Sequence, residues 1–138
     1  MSEVRVNKIT PRSGTSVQIG EAGDTINLTT ATVNLPTGVG GTSWQAVKTS
    51  NFTAVAGEGY FINTTGGVIT ATLPSSATIG NEVSIIDYAG TADTNNITIG
   101  RNGHNIQGAA SDMTVSTERA AFTLVYVDST QGWLLRDK

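Results

Sequence analysis

The chain has no cysteine and a single histidine, His104, in 138 residues. The first absence excludes disulfide frameworks, thiol catalysis and thiolate zinc sites. The second excludes His-rich metal sites and leaves one imidazole for acid–base work. Charge is sparse as well: charged residues make up 14%, and eight basic against eleven acidic residues give a net charge of −3. A nucleic-acid binder would carry a basic face instead. No apolar run approaches the ~18 residues of a membrane span, and Met1 to Val6 lacks the apolar stretch of a signal peptide. The expectation is a chain made in the cytoplasm, with no membrane, no nucleic acid and no cofactor among its partners. Strong helix formers are also few, whereas Thr, Val and Ile abound and Gly and Asn punctuate every stretch. Branching at Cβ suits a pleated, half-buried surface, so the fold class is all-β. So little charge suits outer faces that meet other protein.

The organisation changes near residue 41. After Pro36, residues 37–43 supply Gly38, Gly40 and Gly41 with no periodicity, which reads as a linker. Ahead of it, apolar residues come in pairs two apart: Val17 and Ile19, Ile26 and Leu28, Val33 and Leu35. Each pair fits one face of a very short strand. Such strandlets are marginal alone in water, and the simplest partner is the same segment of another copy. Residues 15–36 are therefore expected to form an intertwined β stalk, best as a homotrimer, with those six residues as its interface. Residues 1–14 read as an extended attachment arm with Val4, Val6 and Ile9 interleaved by Arg5, Lys8 and Arg12. Such an arm could add to another protein's surface or sheet edge.

Residues 44–138 read as a continuous β head. Strand patterns run through Trp44 to Lys48, Phe52 to Val55, Gly59 to Ile62, Val68 to Leu73, Glu82 to Tyr88, Asn96 to Gly100, Met113 to Thr117, Ala121 to Val127 and Trp133 to Arg136. Asn102-Gly103 is a hairpin signal. Alternation puts Ile69, Ala71 and Leu73 on one face. It puts Val83 and Ile85 opposite Ile86 and Tyr88, as if both faces of that strand were buried. Turns recur every 8–12 residues, which predicts an antiparallel β-sandwich or small barrel.

No catalytic set assembles. His104 beside Asn102-Gly103 reads as a turn flank, and no Gly-x-Ser-x-Gly elbow occurs. Glu82 and Asp87 are the only suggestive acid pair for glycoside hydrolysis, and Asp87 reads better as a strand-end group bonded to a turn. Asp93-Thr-Asn-Asn96 could offer oxygens to calcium but lacks the full loop pattern; an Asx-turn explains it better. Trp44 and Trp133 are expected to close the two ends of an aromatic core rather than form an exposed sugar-stacking platform. Loops 89–96 and 108–118 are long enough to meet partners.

Several runs nevertheless form a pattern. Trp44-Gln-Ala-Val-Lys and Ala54-Val-Ala-Gly-Glu-Gly-Tyr-Phe-Ile-Asn-Thr are followed by Ala71-Thr-Leu-Pro-Ser-Ser-Ala-Thr-Ile-Gly-Asn, Ile86-Asp-Tyr-Ala-Gly, Thr94-Asn-Asn-Ile-Thr-Ile and Gln131-Gly-Trp133. This order resembles a β module of bacteriophage fibre and virion-decoration proteins. Val6-Asn-Lys-Ile-Thr-Pro-Arg-Ser-Gly-Thr-Ser with Gly23-Asp-Thr-Ile is similar to the head of marine-phage fibre-like proteins. The resemblance implies a non-enzymatic virion protein: a homotrimer whose arm binds a capsid protein and whose β head is displayed as a decoration or head fibre. The alternative is a tail fibre or fibre adaptor that contacts a host receptor or surface glycan.

Overall fold

The computed structural model describes residues 41–137. The expected arm (1–14, with Val4, Arg5, Val6, Lys8, Ile9 and Arg12), the stalk (15–36, with Val17, Ile19, Ile26, Leu28, Val33 and Leu35) and the linker as far as Gly40 lie outside the described residues.

Within 41–137 the chain is all-β, broken only by a 3-10 turn at Thr64–Gly66. The strands are β1 Ser43–Trp44, β2 Phe52–Thr53, β3 Glu58–Ile62, β4 Ile69–Thr72, β5 Glu82–Asp87, β6 Ile97–Gly100, β7 Met113–Val115, β8 Ala121–Asp128 and β9 Gly132–Leu135. They form a five-stranded sheet, β1-β3-β5-β8-β9, and a four-stranded sheet, β2-β4-β6-β7. The expected strands are nearly all present, but their pairing is not purely antiparallel. β1, β3 and β5 run parallel, as do β2, β4 and β6. Only the β5–β8, β6–β7 and β8–β9 pairs are antiparallel.

The reason lies in the route of the chain. From β1 to β6 each strand belongs to the sheet opposite its predecessor, so every return to a sheet arrives in the same direction. Parallel neighbours need a crossover of a dozen or more residues, usually a helix. Here the crossover is a strand of the other sheet, as β4 is between β3 and β5. Turns at 8–12-residue spacing fit this winding as well as they fit hairpins, so spacing alone could not separate the two.

Inward residues of both sheets make one buried cluster. Tyr60, Ile62, Val83, Ile85, Leu124 and Trp133 come from the larger sheet, and Ile69, Ala71, Ile97 and Ile99 from the smaller. Burying each large aliphatic side chain is worth roughly 1.5–3 kcal/mol. The face assigned to Ile69, Ala71 and Leu73 is indeed the buried one, while Val68 is exposed. β5 departs from expectation: Val83 and Ile85 are buried, but Ile86 is only half-buried and Tyr88 is exposed. Its second face looks outward. Asn102 and Gly103 do form a tight turn, both at positive φ. The strand that pairs with β6 nevertheless arrives only at Met113, after Ile106 has bridged to Ala109 and Trp133.

Candidate functional site

The outward face of the larger sheet gathers side chains that do not serve the core. Trp44 pairs in register with Gly59, and Gly59 with Ser84, which in turn pairs with Thr123. Glycine is needed beneath the indole: a Cβ on Gly59 would lie 2.6 Å from the Trp44 ring. Bare backbone at that point lets the ring lie down on the sheet, a cross-strand cover of glycine by an aromatic residue. Phe61, two residues along the same strand, stacks beside it with centroids 4.9 Å apart and planes at 28°. Trp44 stays 47% exposed. Trp133, by contrast, is fully buried, and its ring meets Tyr126 edge-on at 5.5 Å. The two tryptophans thus do not close opposite ends of the core; one belongs to the surface. Residue order along β1 carries no information about which face that short strand would bury.

Beside the indole, Ser84 Oγ and Thr123 Oγ1 are hydrogen-bonded at 3.0 Å, both nearly buried although they face outward. Arg136 reaches over them. Its Nη2 donates to Thr123 Oγ1 at 3.4 Å, its Nη1 to Glu82 Oε1 at 2.9 Å and its Nε to Asp137 Oδ2 at 3.3 Å. The Asp137 hydrogen bond, then the charge of Glu82, raise the guanidinium above its ordinary pKa. Two clefts flank this arginine. One, of about 240 Å³, runs between Trp44 and Asp137 over Ser84 and Thr123. The other, of about 340 Å³, is bordered by Glu58, Asn81 and Glu82. Thr42, Ser84 and Arg136 line both, so the two are continuous neighbours on one face. Sequence reasoning passed over Ser84, Thr123 and Arg136. The available signal was a hydroxyl at an outward parity position between two apolar neighbours in each strand, Ser84 between Val83 and Ile85 and Thr123 between Phe122 and Leu124.

Glu58, on the rim of the larger cleft, also accepts a hydrogen bond from the hydroxyl of Tyr60. That hydroxyl accepts in turn from the Val55 N–H at 2.8 Å. Burial, reinforced by the bond to Glu58, pushes the Tyr60 pKa up to about 12. The Lys48 ammonium stands 5.4 Å from the Phe52 ring centroid and 5.7 Å from that of Tyr60.

The residues weighed for chemistry are placed apart. Glu82 and Asp87 are five apart on one strand and point to opposite faces. Asp87 is 1% exposed and is held by backbone donors: Gly90 N–H to Oδ1 at 3.1 Å, with Ala92 N–H at 3.2 Å and Arg119 N–H at 3.0 Å to Oδ2. It ties two loops to the end of β5. His104 places Nε2 3.0 Å from the Ser75 carbonyl, and its ring meets Tyr126 edge-on at 4.9 Å. At 93–96 the turn is closed by the Thr91 carbonyl, which accepts from Thr94 N–H at 3.1 Å and Asn95 N–H at 2.8 Å. Among the described residues the Asp93 carboxylate bonds only the hydroxyl of Thr94, at 3.4 Å, and the Asn95 N–H goes to the Thr91 carbonyl instead, so the turn is not the expected Asx-turn. Asn95 Nδ2 donates to the Thr64 carbonyl at 2.9 Å, and the Thr64 and Thr91 hydroxyls meet at 2.8 Å. Loop 89–96 is therefore fastened at both ends. Among the described residues no three His, Asp or Glu side chains gather as metal ligands, and no helix is long and apolar enough to cross a membrane.

Comparison of the chain with known proteins found no matching family model and no matching curated relative.

Proposed function

We propose that this chain is a non-enzymatic structural protein of a bacteriophage virion, a capsid decoration or head fibre. It attaches through residues 1–14, trimerises through the stalk of residues 15–36, and displays the all-β head. The observation that supports this reading is the use to which the head puts the residues of the virion-protein resemblance. Leu73 of the Thr-Leu-Pro run is fully buried, Asp87 of Asp-Tyr anchors two loops, and Asn95 of Asn-Asn ties its loop to Thr64. In Gln-Gly-Trp, Trp133 is core and Gly132 passes so close to Asn105 that a Cβ would sit 1.8 Å from its carbonyl oxygen. These motifs hold loops and core together, and the one buried carboxylate among the described residues, Asp87, is held by backbone amides. That is the economy of a display scaffold.

The test is to locate the protein on purified particles by cryo-electron microscopy or gold-labelled antibody. Label repeated over the icosahedral shell is the expected result. Label confined to the tail would overturn the decoration reading in favour of a tail fibre or adaptor. Light scattering of the full chain is expected to give a trimer, and a monomer would remove the stalk from the proposal.

A further inference from the structure

We propose that the outward face of the larger sheet is a binding site for a neutral saccharide, with Trp44 as its stacking platform and Arg136 as its polar clamp. This goes beyond a display role and does not depend on where on a particle the head is mounted.

Three features of that face point to a sugar. The indole lies flat over Gly59 beside Phe61, yet remains about half exposed. A flat aromatic face left open and held rigid by a neighbouring ring matches the apolar C–H face of a pyranose. Polar groups follow at once alongside it: the Ser84–Thr123 hydroxyl pair, the Arg136 guanidinium and the Glu82 and Asp137 carboxylates. Hydroxyl-rich ligands need this mixture of paired donors and acceptors next to an apolar wall. Finally, the charges choose among sugars. Glu58, Glu82 and Asp137 outnumber Arg136 around the two clefts, and the arginine is already engaged by Glu82 and Asp137. Among the described residues Arg136 is the only cation lining the clefts, and Glu82 and Asp137 compensate its charge while leaving N–H groups for hydroxyls. An anionic sugar would therefore meet a net negative rim, so the site selects neutral saccharides.

The clefts, about 240 and 340 Å³, share Thr42, Ser84 and Arg136 as lining. An oligosaccharide would therefore stack one ring on Trp44 and direct the next past Arg136 toward Glu82 and Asn81.

The test uses the purified full chain on an array of neutral oligosaccharides (cello-, malto- and chito-oligomers, galactosides and mannosides) with sialylated and uronate-containing glycans beside them. Any neutral oligosaccharide that binds is then titrated by isothermal titration calorimetry, which reads the parent and the variants lacking Trp44 alike. Binding confined to neutral sugars is expected, with Trp44→Ala and Arg136→Met each weakening it about ten-fold or more, the ratio given by ~1.4 kcal/mol. Trp44→Phe is expected to keep most of the affinity. All three variants should unfold cooperatively well above the assay temperature, with Trp44→Ala the least stable because it uncovers Gly59 and Phe61. Selective binding of the acidic glycans, no binding of any neutral sugar, or unchanged affinity in Trp44→Ala would overturn the proposal. So would Trp44 becoming shielded from acrylamide as protein concentration rises, because the occupant of the face would then be a second copy of the chain.

Discussion

Replacing Asp87 with asparagine should cost far more than the same change at Asp128. The two carboxylates look alike in sequence, and both bond backbone amides of a following turn. Asp128 Oδ1 accepts from Thr130 and Gln131 N–H groups, each at 2.8 Å, in the open. Asp87 accepts three N–H bonds at 1% exposure. In Asp87→Asn the best amide orientation keeps the oxygen toward Ala92 and Arg119 and turns an NH₂ on the Gly90 N–H. One donor is then stranded, at about 1–3 kcal/mol, and two charge-assisted bonds become neutral ones, losing roughly 1 kcal/mol each. The total is about 3–5 kcal/mol, a large part of the ~5–15 kcal/mol that stabilises a domain. At Asp128 water replaces the lost bonds, and the cost should stay within ~1 kcal/mol. Urea denaturation followed by circular dichroism would read this as a midpoint lowered by about 2 M for a slope near 2 kcal/mol/M, with the slope itself unchanged. If Asp87→Asn costs less than ~1 kcal/mol, or no more than Asp128→Asn, the loops are not held as described.

Other expectations follow from single contacts. Tyr60 titrates near 12 in the fold against about 10 when unfolded. Its contribution is therefore fully present below pH 10 and lost as pH rises from 10 to 12, up to ~2–3 kcal/mol. Tyr60→Phe should flatten that alkaline slope of stability, and an unchanged slope would refute the assignment. Gly132 has φ +70° and its missing Cβ would overlap the Asn105 carbonyl; Gly132→Ala should cost about 3 kcal/mol or more, and a melting temperature equal to the parent's would contradict the geometry. Ile85→Ala and Leu124→Ala each empty a fully buried position and should cost about 2–5 kcal/mol in the same denaturation assay. Trp44→Phe should leave a blue-shifted emission that acrylamide barely quenches, since only buried Trp133 remains; ready quenching would mean that Trp133 is not enclosed.

The head was legible in the sequence wherever alternation met a buried face. Ile69, Ala71 and Leu73 declared their side through period-two spacing, because the opposite face of that strand is polar. β5 misled because Val83, Ile85, Ile86 and Tyr88 are all apolar, and apolar character alone does not separate a second core face from an open surface that only aromatic neighbours partly cover. Pairing direction was illegible for a deeper reason. Local sequence records that a turn occurs and says little about whether the next strand falls beside its predecessor or across from it. The candidate cleft was harder still, since Trp44, Ser84, Thr123 and Arg136 are separated by up to 92 positions (44 to 136). Only strand register joins them. Asp87 was read correctly as a turn-bonding residue, because an acid at a strand end has few other uses.

The alternation of β1 to β6 between sheets also governs how the head must fold. No parallel pair can close until the chain has visited the opposite layer, so neither sheet is a unit that could form first and wait for the other. Among the described strands, β6–β7 and β8–β9 are the only pairings between strands consecutive in the chain, and they come last from the N-terminus. Rapid local nuclei are therefore confined to the C-terminal third, while the remaining ladders depend on distant closures of the kind that slow folding to about milliseconds to seconds. A head emerging from the ribosome would have to wait for its final strands before it could commit. Once formed, it should come apart as a whole, since peeling one layer means unthreading the other.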